Sequence, residues 1–204
     1  MKTTLYFLIL ISILGSTNEN KSSICEDYLP AITTSGANTF GCCINGNLLI
    51  PRDGTGTFGY PDKGFETIGD PTDNNQYSEM DIKDFKSDVT SSLFLHIQEL
   101  DQLGVGTHII NESNGMTSID GFNHTYLHCR VFNTTTNSYQ YYRSFENSGI
   151  LKISRFEFVP FVKRIVSGTF DCKLKNSVNP IDIIEIKNGR FDYNGATLPN
   201  KIFP

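Results

Sequence analysis

The chain has no tryptophan and only four histidines, and charged residues fill just 19% of its 204 positions with a formal net charge of −5. So sparse and mildly acidic a charge set provides no clustered basic face, which excludes recruitment of nucleic-acid phosphates. No C-x-x-C is present, so the usual thiol redox and zinc motifs are absent. No P-loop, H-E-x-x-H or G-x-S-x-G occurs either, which removes the common signatures of phosphate cradling, zinc-dependent hydrolysis and serine hydrolysis. Long apolar runs are missing except at the N-terminus, and disorder, collagen and coiled coil each need a compositional bias that this chain lacks. In their place stand 17 glycines, 12% aromatic residues and many Asn, Ser and Thr residues. The length suits one ordinary domain.

The single apolar run, Leu5 to Leu14, follows Met1-Lys2 and ends at Gly15-Ser16. This is the layout of a secretory signal over residues 1–16, and the run is about half the roughly 20 residues that a membrane span requires. The mature chain therefore carries no transmembrane span and is expected to be exported, to a periplasm, to an outer-membrane surface or as a secreted protein. A bacterial lipoprotein would place a small residue before its modified cysteine, directly after the apolar run. Cys25 follows Ile24 and lies beyond the polar stretch Thr17 to Ser23. Soluble export is the reading, with lipidation at Cys25 as its alternative.

Export sets the cysteine chemistry. Cys25, Cys42, Cys43, Cys129 and Cys172 are an odd number in an oxidising compartment, so at least one stays unpaired. Cys42 and Cys43 point to opposite faces of any strand and are poor partners for each other. The expected disulfide is Cys42–Cys129, which would tie the first hairpin to a central strand. Cys172 shares a face with Phe170 and Leu174 and reads as a buried thiol, while the fates of Cys25 and Cys43 stay open.

Residues 17–35 read as a polar leader and residues 36–204 as the domain. Asn45-Gly46, flanked by apolar residues, predicts a hairpin. Seven Gly or Pro residues between Arg52 and Asp73 predict an irregular segment. The stretch Asp84 to Leu103 carries both a four-residue and a two-residue apolar period, and the strand reading over Leu93 to Gln98 fits its flanks better. Further on, Tyr126 to Phe132, Tyr139 to Arg143, Ile150 to Phe158, Ile165 to Leu174 and Ile181 to Tyr193 are β-branched or aromatic runs separated by turn residues. The fold class is all-β, a single antiparallel β-sandwich built from sequential hairpins, with a calycin-like barrel as the alternative.

Leu29-Pro30-Ala31-Ile32-Thr33-Thr34-Ser35-Gly36-Ala37-Asn38-Thr39-Phe40-Gly41-Cys42 with Asn45-Gly46 forms one motif. Gly149 to Phe156, Val166-Ser167-Gly168-Thr169-Phe170 and Asn188-Gly189-Arg190-Phe191-Asp192 form the others. Together these segments resemble a family of exported Bacteroidetes proteins, hypothetical lipoproteins with a domain of unknown function. The resemblance covers roughly Leu29 to Tyr193 and implies an envelope or secreted β-protein. Read physically, Gly168 permits a bulge or close backbone approach, Asn188-Gly189 is a tight-turn pair, and Arg190 and Asp192 form a salt-linked outer face over Phe191.

Chemistry-bearing constellations are thin. His124 and His128 with Asp120 are four residues apart, without the context of a metal motif, and scattered histidines are the better reading. Asp70, Asp73, Glu79, Asp81 and Asp84 lack calcium-loop spacing and read as a solvated acidic loop. Cys129 beside His128 is no dyad, because strand neighbours face opposite ways. Tyr139, Tyr141 and Tyr142 with Arg143 offer either a stacking surface for sugar or peptide, or cross-strand packing. No catalytic residue, metal ligand or cofactor is assigned. The expected function is a non-catalytic binding or structural module of the cell envelope, its partner a glycan or an envelope protein. The alternatives are a glycan- or peptide-directed hydrolase with loop carboxylates, or a carrier of a small hydrophobic ligand.

Overall fold

A computed structural model describes residues 25–59, 62–69, 77–159 and 162–204. The signal segment, the first part of the leader, Asp70 and Asp73 lie outside these residues. Ten strands follow in chain order: β1 (Thr39–Ile44), β2 (Asn47–Leu49), β3 (Phe65–Gly69), β4 (Tyr77–Lys83), β5 (Thr90–Gln98), β6 (Gly106–Ile110), β7 (Tyr126–Asn133), β8 (Ser138–Val159), β9 (Lys163–Asn176) and β10 (Ile183–Asn194). A single helical turn, α1 (Leu100–Leu103), separates β5 from β6. The all-β antiparallel reading is correct. It takes the form of one sheet in the order β2-β1-β10-β9-β8-β7-β5-β4-β3, with β6 beside β8, curled into a half-barrel.

Alternation dictates which residues fill the curl. Phe40, Cys42 and Ile44 of β1, Leu93, Leu95 and Ile97 of β5, and Phe170, Cys172 and Leu174 of β9 all point inward and are almost fully buried. Phe40 packs against both Phe65 and Phe170, with ring centroids 5.9 Å apart in each pair. Near β2 the curl draws together: Thr90 Oγ1 donates to Leu48 O at 3.0 Å, and Arg52 exchanges backbone bonds with Lys83 and Phe85. Arg52 also grips the buried Asp84 carboxylate with two bonds of 2.6 and 2.8 Å.

Asn45 and Gly46 have φ of 46° and 77°, the double left-handed turn that their dipeptide demands. Leu93 to Gln98 is strand, as its alternation indicates, and the two runs Tyr139–Arg143 and Ile150–Phe158 join into the long β8. Two local readings are corrected. Tyr77 to Lys83 is a strand, because Ser78, Met80 and Ile82 alternate inward beneath the acidic residues. Asn188-Gly189 is a bulge inside β10, where Lys187 and Asn188 together stand opposite Asp171. At Gly168 the close-approach reading holds, since a Cβ there would lie 2.7 Å from Lys152 O, and the register shift itself sits across the ladder, between Ile153 and Arg155 of β8.

The leader is a strap on the outer face. Cys25 is bonded to Cys43, with their Cα atoms 6.0 Å apart. The expected Cys42–Cys129 disulfide is overturned: Cys25 takes Cys43 instead, and Cys42, Cys129 and Cys172 are free thiols packed into the core. Since Cys42 points inward, its neighbour Cys43 points outward to meet the strap. The lipid-anchor alternative fails too, because the Cys25 Sγ that a thioether would need is held in the disulfide. Leu29 and Pro30 lie so close over Gly41 that a Cβ there would come within 2.6 Å of Pro30 Cδ.

Arg190 and Asp192 do not pair with each other. Arg190 donates to Pro30 O at 3.3 Å. Asp192 accepts from Thr33 Oγ1 (2.6 Å), Gly36 N (2.7 Å), Ser35 N (2.9 Å), Ala37 N (3.1 Å) and Ser167 Oγ (2.7 Å). The motifs behind the resemblance thus converge on one structural device that seats the strap.

Candidate functional site

Two breaks in strand register open the outer face between β8 and β10. On β8, Phe145 to Ser148 stand opposite Lys173 alone, and Gly149 closes the bulge. A Cβ on Gly149 would lie 2.2 Å from Cys172 Cβ and 2.3 Å from Asp171 O, so the strands approach only because the residue is glycine. On β10 the bulge puts Asn188 at φ 56°, and its N–H donates to Asp171 Oδ1 at 2.8 Å. A groove of about 720 Å³ lies between the two bulges.

Most of its lining residues are polar or charged. Asp171 stands at the centre, Asn147 and Ser148 come from the β8 bulge, and Asn188 and Lys187 come from the β10 bulge. Glu26 of the strap reaches in and accepts from Asn188 Nδ2. Glu185 sits between Lys187 (2.9 Å) and Lys173 (3.4 Å), and the hydrogen bonds from these ammonium groups hold its carboxyl below the usual carboxylate range. Cys172 and Ile186 line the floor. The Cys172 side chain points into the core, where burial pushes its thiol far up, so it supplies no nucleophile to the groove. Ile109 and Ile150, paired across β6 and β8 and about half exposed, form an apolar strip beside Asp171.

Comparison with protein-family models, curated proteins and solved structures returns no match. The groove must be read from its own chemistry.

A second polar cluster lies on the outer face of β4, β5 and β7, under residues 111–125. Glu79 is fully buried there, accepting from Ser118 N at 2.6 Å and lying 2.9 Å from His96 Nδ1. His96 stacks between Tyr77 and Tyr126, and His128 stacks on Phe94. Glu79 is therefore no member of a solvated acidic loop; the reading failed because carboxylates on a strand's outer face resemble a loop in sequence.

His124 and His128 do not converge: His124 Nε2 bonds Glu112 O at 2.7 Å, whereas His128 Nδ1 lies 3.3 Å from Ser113 Oγ. Burial and the nearby Arg143 lower the His128 pKa to about 4. No group of three metal-ligating side chains occurs among the described residues. Gly54, Gly56 and Gly59 have the spacing of a dinucleotide loop, but the described residues after them run into β3 and form no helix. Tyr142 is buried and donates to Asp182 at 2.8 Å. Tyr139 and Tyr141 are exposed, with Tyr139 packed edge-on against Phe132 and under Arg130. The tyrosines thus divide between packing and surface, as strand alternation requires. Among the described residues, no helix is long and apolar enough to cross a membrane.

The groove was not identified from the sequence. Its two glycines, Gly149 and Gly189, were the available signal, each inside a β-rich run where glycine marks a bulge.

Proposed function

We propose that the chain is an exported cell-envelope β-protein acting as a non-catalytic binding module, with the groove between the β8 and β10 bulges as its ligand site. The signal layout at residues 1–16, the disulfide and the resemblance to exported Bacteroidetes proteins support export. The observation that carries the binding reading is the contrast between inside and outside. Aromatic and aliphatic side chains pack the inner face of the curl, and convergent polar groups gather in the exterior groove.

The ligand class that fits is an oligosaccharide. Asp171, Asn147 and Asn188 offer acceptors and donors for sugar hydroxyls, and the Ile109–Ile150 strip suits the apolar face of a sugar ring. The test is a glycan array followed by calorimetry. Binding that drops at least tenfold in both Asp171→Ala and Lys187→Ala, with unchanged thermal stability, supports the reading. Binding indifferent to both substitutions, or no binding to any glycan, overturns it.

A further inference from the structure

Residues 111–125 interrupt what would otherwise be one strand. β6 and β7 both run antiparallel to β8, pairing Ile110 with Gly149 and His128 with Arg143, and Asn111 still bridges Tyr126. Between them the chain leaves the sheet and folds over β4 and β7. The excursion is pinned. Ser118 N donates to the buried Glu79 carboxylate at 2.6 Å, Tyr126 Oη donates to Met116 O at 2.9 Å, and Asn114 Nδ2 donates to Asp120 O at 2.8 Å. Ser118 is held at φ 56°, a conformation that a non-glycine residue keeps only when its surroundings impose it. This fixed excursion presents Met116, Ile119 and Phe122 outward, at 49%, 67% and 39% exposure. Glu112 and Asp120, both exposed, flank the apolar knob.

A complementary surface lies elsewhere on the chain. Between the strap and the C-terminal segment opens an apolar pocket of about 280 Å³ walled by Tyr28, Pro30, Ile50, Pro51, Phe203 and Pro204. A cavity of about 150 Å³ accepts a benzene ring, so the pocket has space for a phenyl group. Its rim is cationic: Lys201 lines it, and Lys63 Nζ donates to Lys201 O at 3.3 Å.

We propose that a second copy of this chain seats its 111–125 knob in the pocket beside the strap. Apolar side chains fill the pocket while Glu112 and Asp120 meet the Lys63 and Lys201 rim. We place the contact head to tail, knob of one copy in the pocket of the next, a heterologous arrangement that leaves one knob and one pocket open at the ends and so propagates until it closes. The knob is fixed before it binds, which lowers the ordering cost of association. So small a contact gives a weak, concentration-dependent assembly.

Sedimentation velocity on the purified protein tests this. Wild-type weight-average mass should rise with concentration beyond that of a dimer. Ile119→Asp in the knob and Tyr28→Asp in the pocket, both exposed positions, should each leave a folded monomer by sedimentation and circular dichroism. Mixing the two variants should restore a dimer and nothing larger, because each supplies the surface that the other lacks. Lys201→Glu should also abolish assembly, and adding Asp120→Lys to it should restore it. A wild-type chain that stays monomeric to about 1 mM, a variant that still assembles alone, or a mixture that stays monomeric overturns the proposal.

Discussion

Replacing Asp192 by Asn removes one charge and leaves the shape of the side chain almost unchanged. The carboxylate is buried and receives two hydroxyl donors and three backbone N–H donors at 2.6 to 3.1 Å. An amide places its NH₂ against one set of these donors. If it faces the Oδ1 side, Ser167 can rotate its hydroxyl to accept, but Gly36 N–H cannot; on the Oδ2 side, Ser35 and Ala37 N–H are orphaned. One buried donor left unmet costs about 1–3 kcal/mol, and bonds to a charged acceptor are about twice as strong as neutral ones. The expected loss is about 2–4 kcal/mol at pH 7.

The pH dependence adds a second, independent check. Burial raises the pKa of Asp192, but hydrogen bonds from Thr33, Ser167, Ala37 and Gly36 outweigh it and hold the group below its ordinary value. A depressed folded pKa means that the stabilisation is complete above the unfolded value, about 3.9, and is lost as pH falls through the folded value. The gap between wild type and Asp192→Asn should therefore narrow below about pH 4. Urea denaturation at pH 7 and pH 3 reads the gap, and hydrogen exchange at the Ser35, Gly36 and Ala37 amides locates it. A difference under about 0.5 kcal/mol at pH 7, with those amides still protected, would refute the reasoning.

Three further outcomes follow from the same geometry. Non-reducing peptide mapping should recover Cys25 linked to Cys43, with Cys42, Cys129 and Cys172 as thiols. Cys25→Ser with Cys43→Ser should cost about 3 kcal/mol, the entropy of closing an 18-residue separation, and a free Cys25 in the native protein would contradict the strap. Gly149→Ala should destabilise by about 1–3 kcal/mol or more, because its Cβ meets Asp171 O as well as the Cys172 side chain; a neutral result would mean that the β8 bulge lies elsewhere. His128, with a pKa near 4, should show the ring shifts of a neutral imidazole at pH 5.5 by NMR, and its contribution to stability should fade as pH drops from about 6.5 toward 4. Titration near the unperturbed value would contradict its burial under Ser113.

Where local chemistry decides structure, the sequence was readable. Asn45-Gly46 dictates its turn, and the β-branched runs after Tyr126 dictate their strands. Where a partner distant in the chain decides, it was not. The choice between Cys42 and Cys43 depends on which side of β1 faces the strap, and that is set by the sheet's curl. Glu79 reads as a loop acid because only the excursion over residues 111–125 buries it against His96. Asn188-Gly189 has the composition of a turn, but Phe170 and Asp171 on the neighbouring strand make it a bulge. Arg190 and Asp192 lie on one face, as alternation requires, yet the strap outcompetes each for the other.

The central claim is that ligand binds outside the half-barrel, between the two bulges. Amide chemical-shift mapping during a glycan titration tests it most directly. The account predicts perturbations that cluster at Asn147, Asp171, Lys173, Lys187 and Asn188 while core amides such as those of Leu95 and Phe170 stay still. Perturbations centred on the core, or on residues 111–125, with the groove silent, would contradict it.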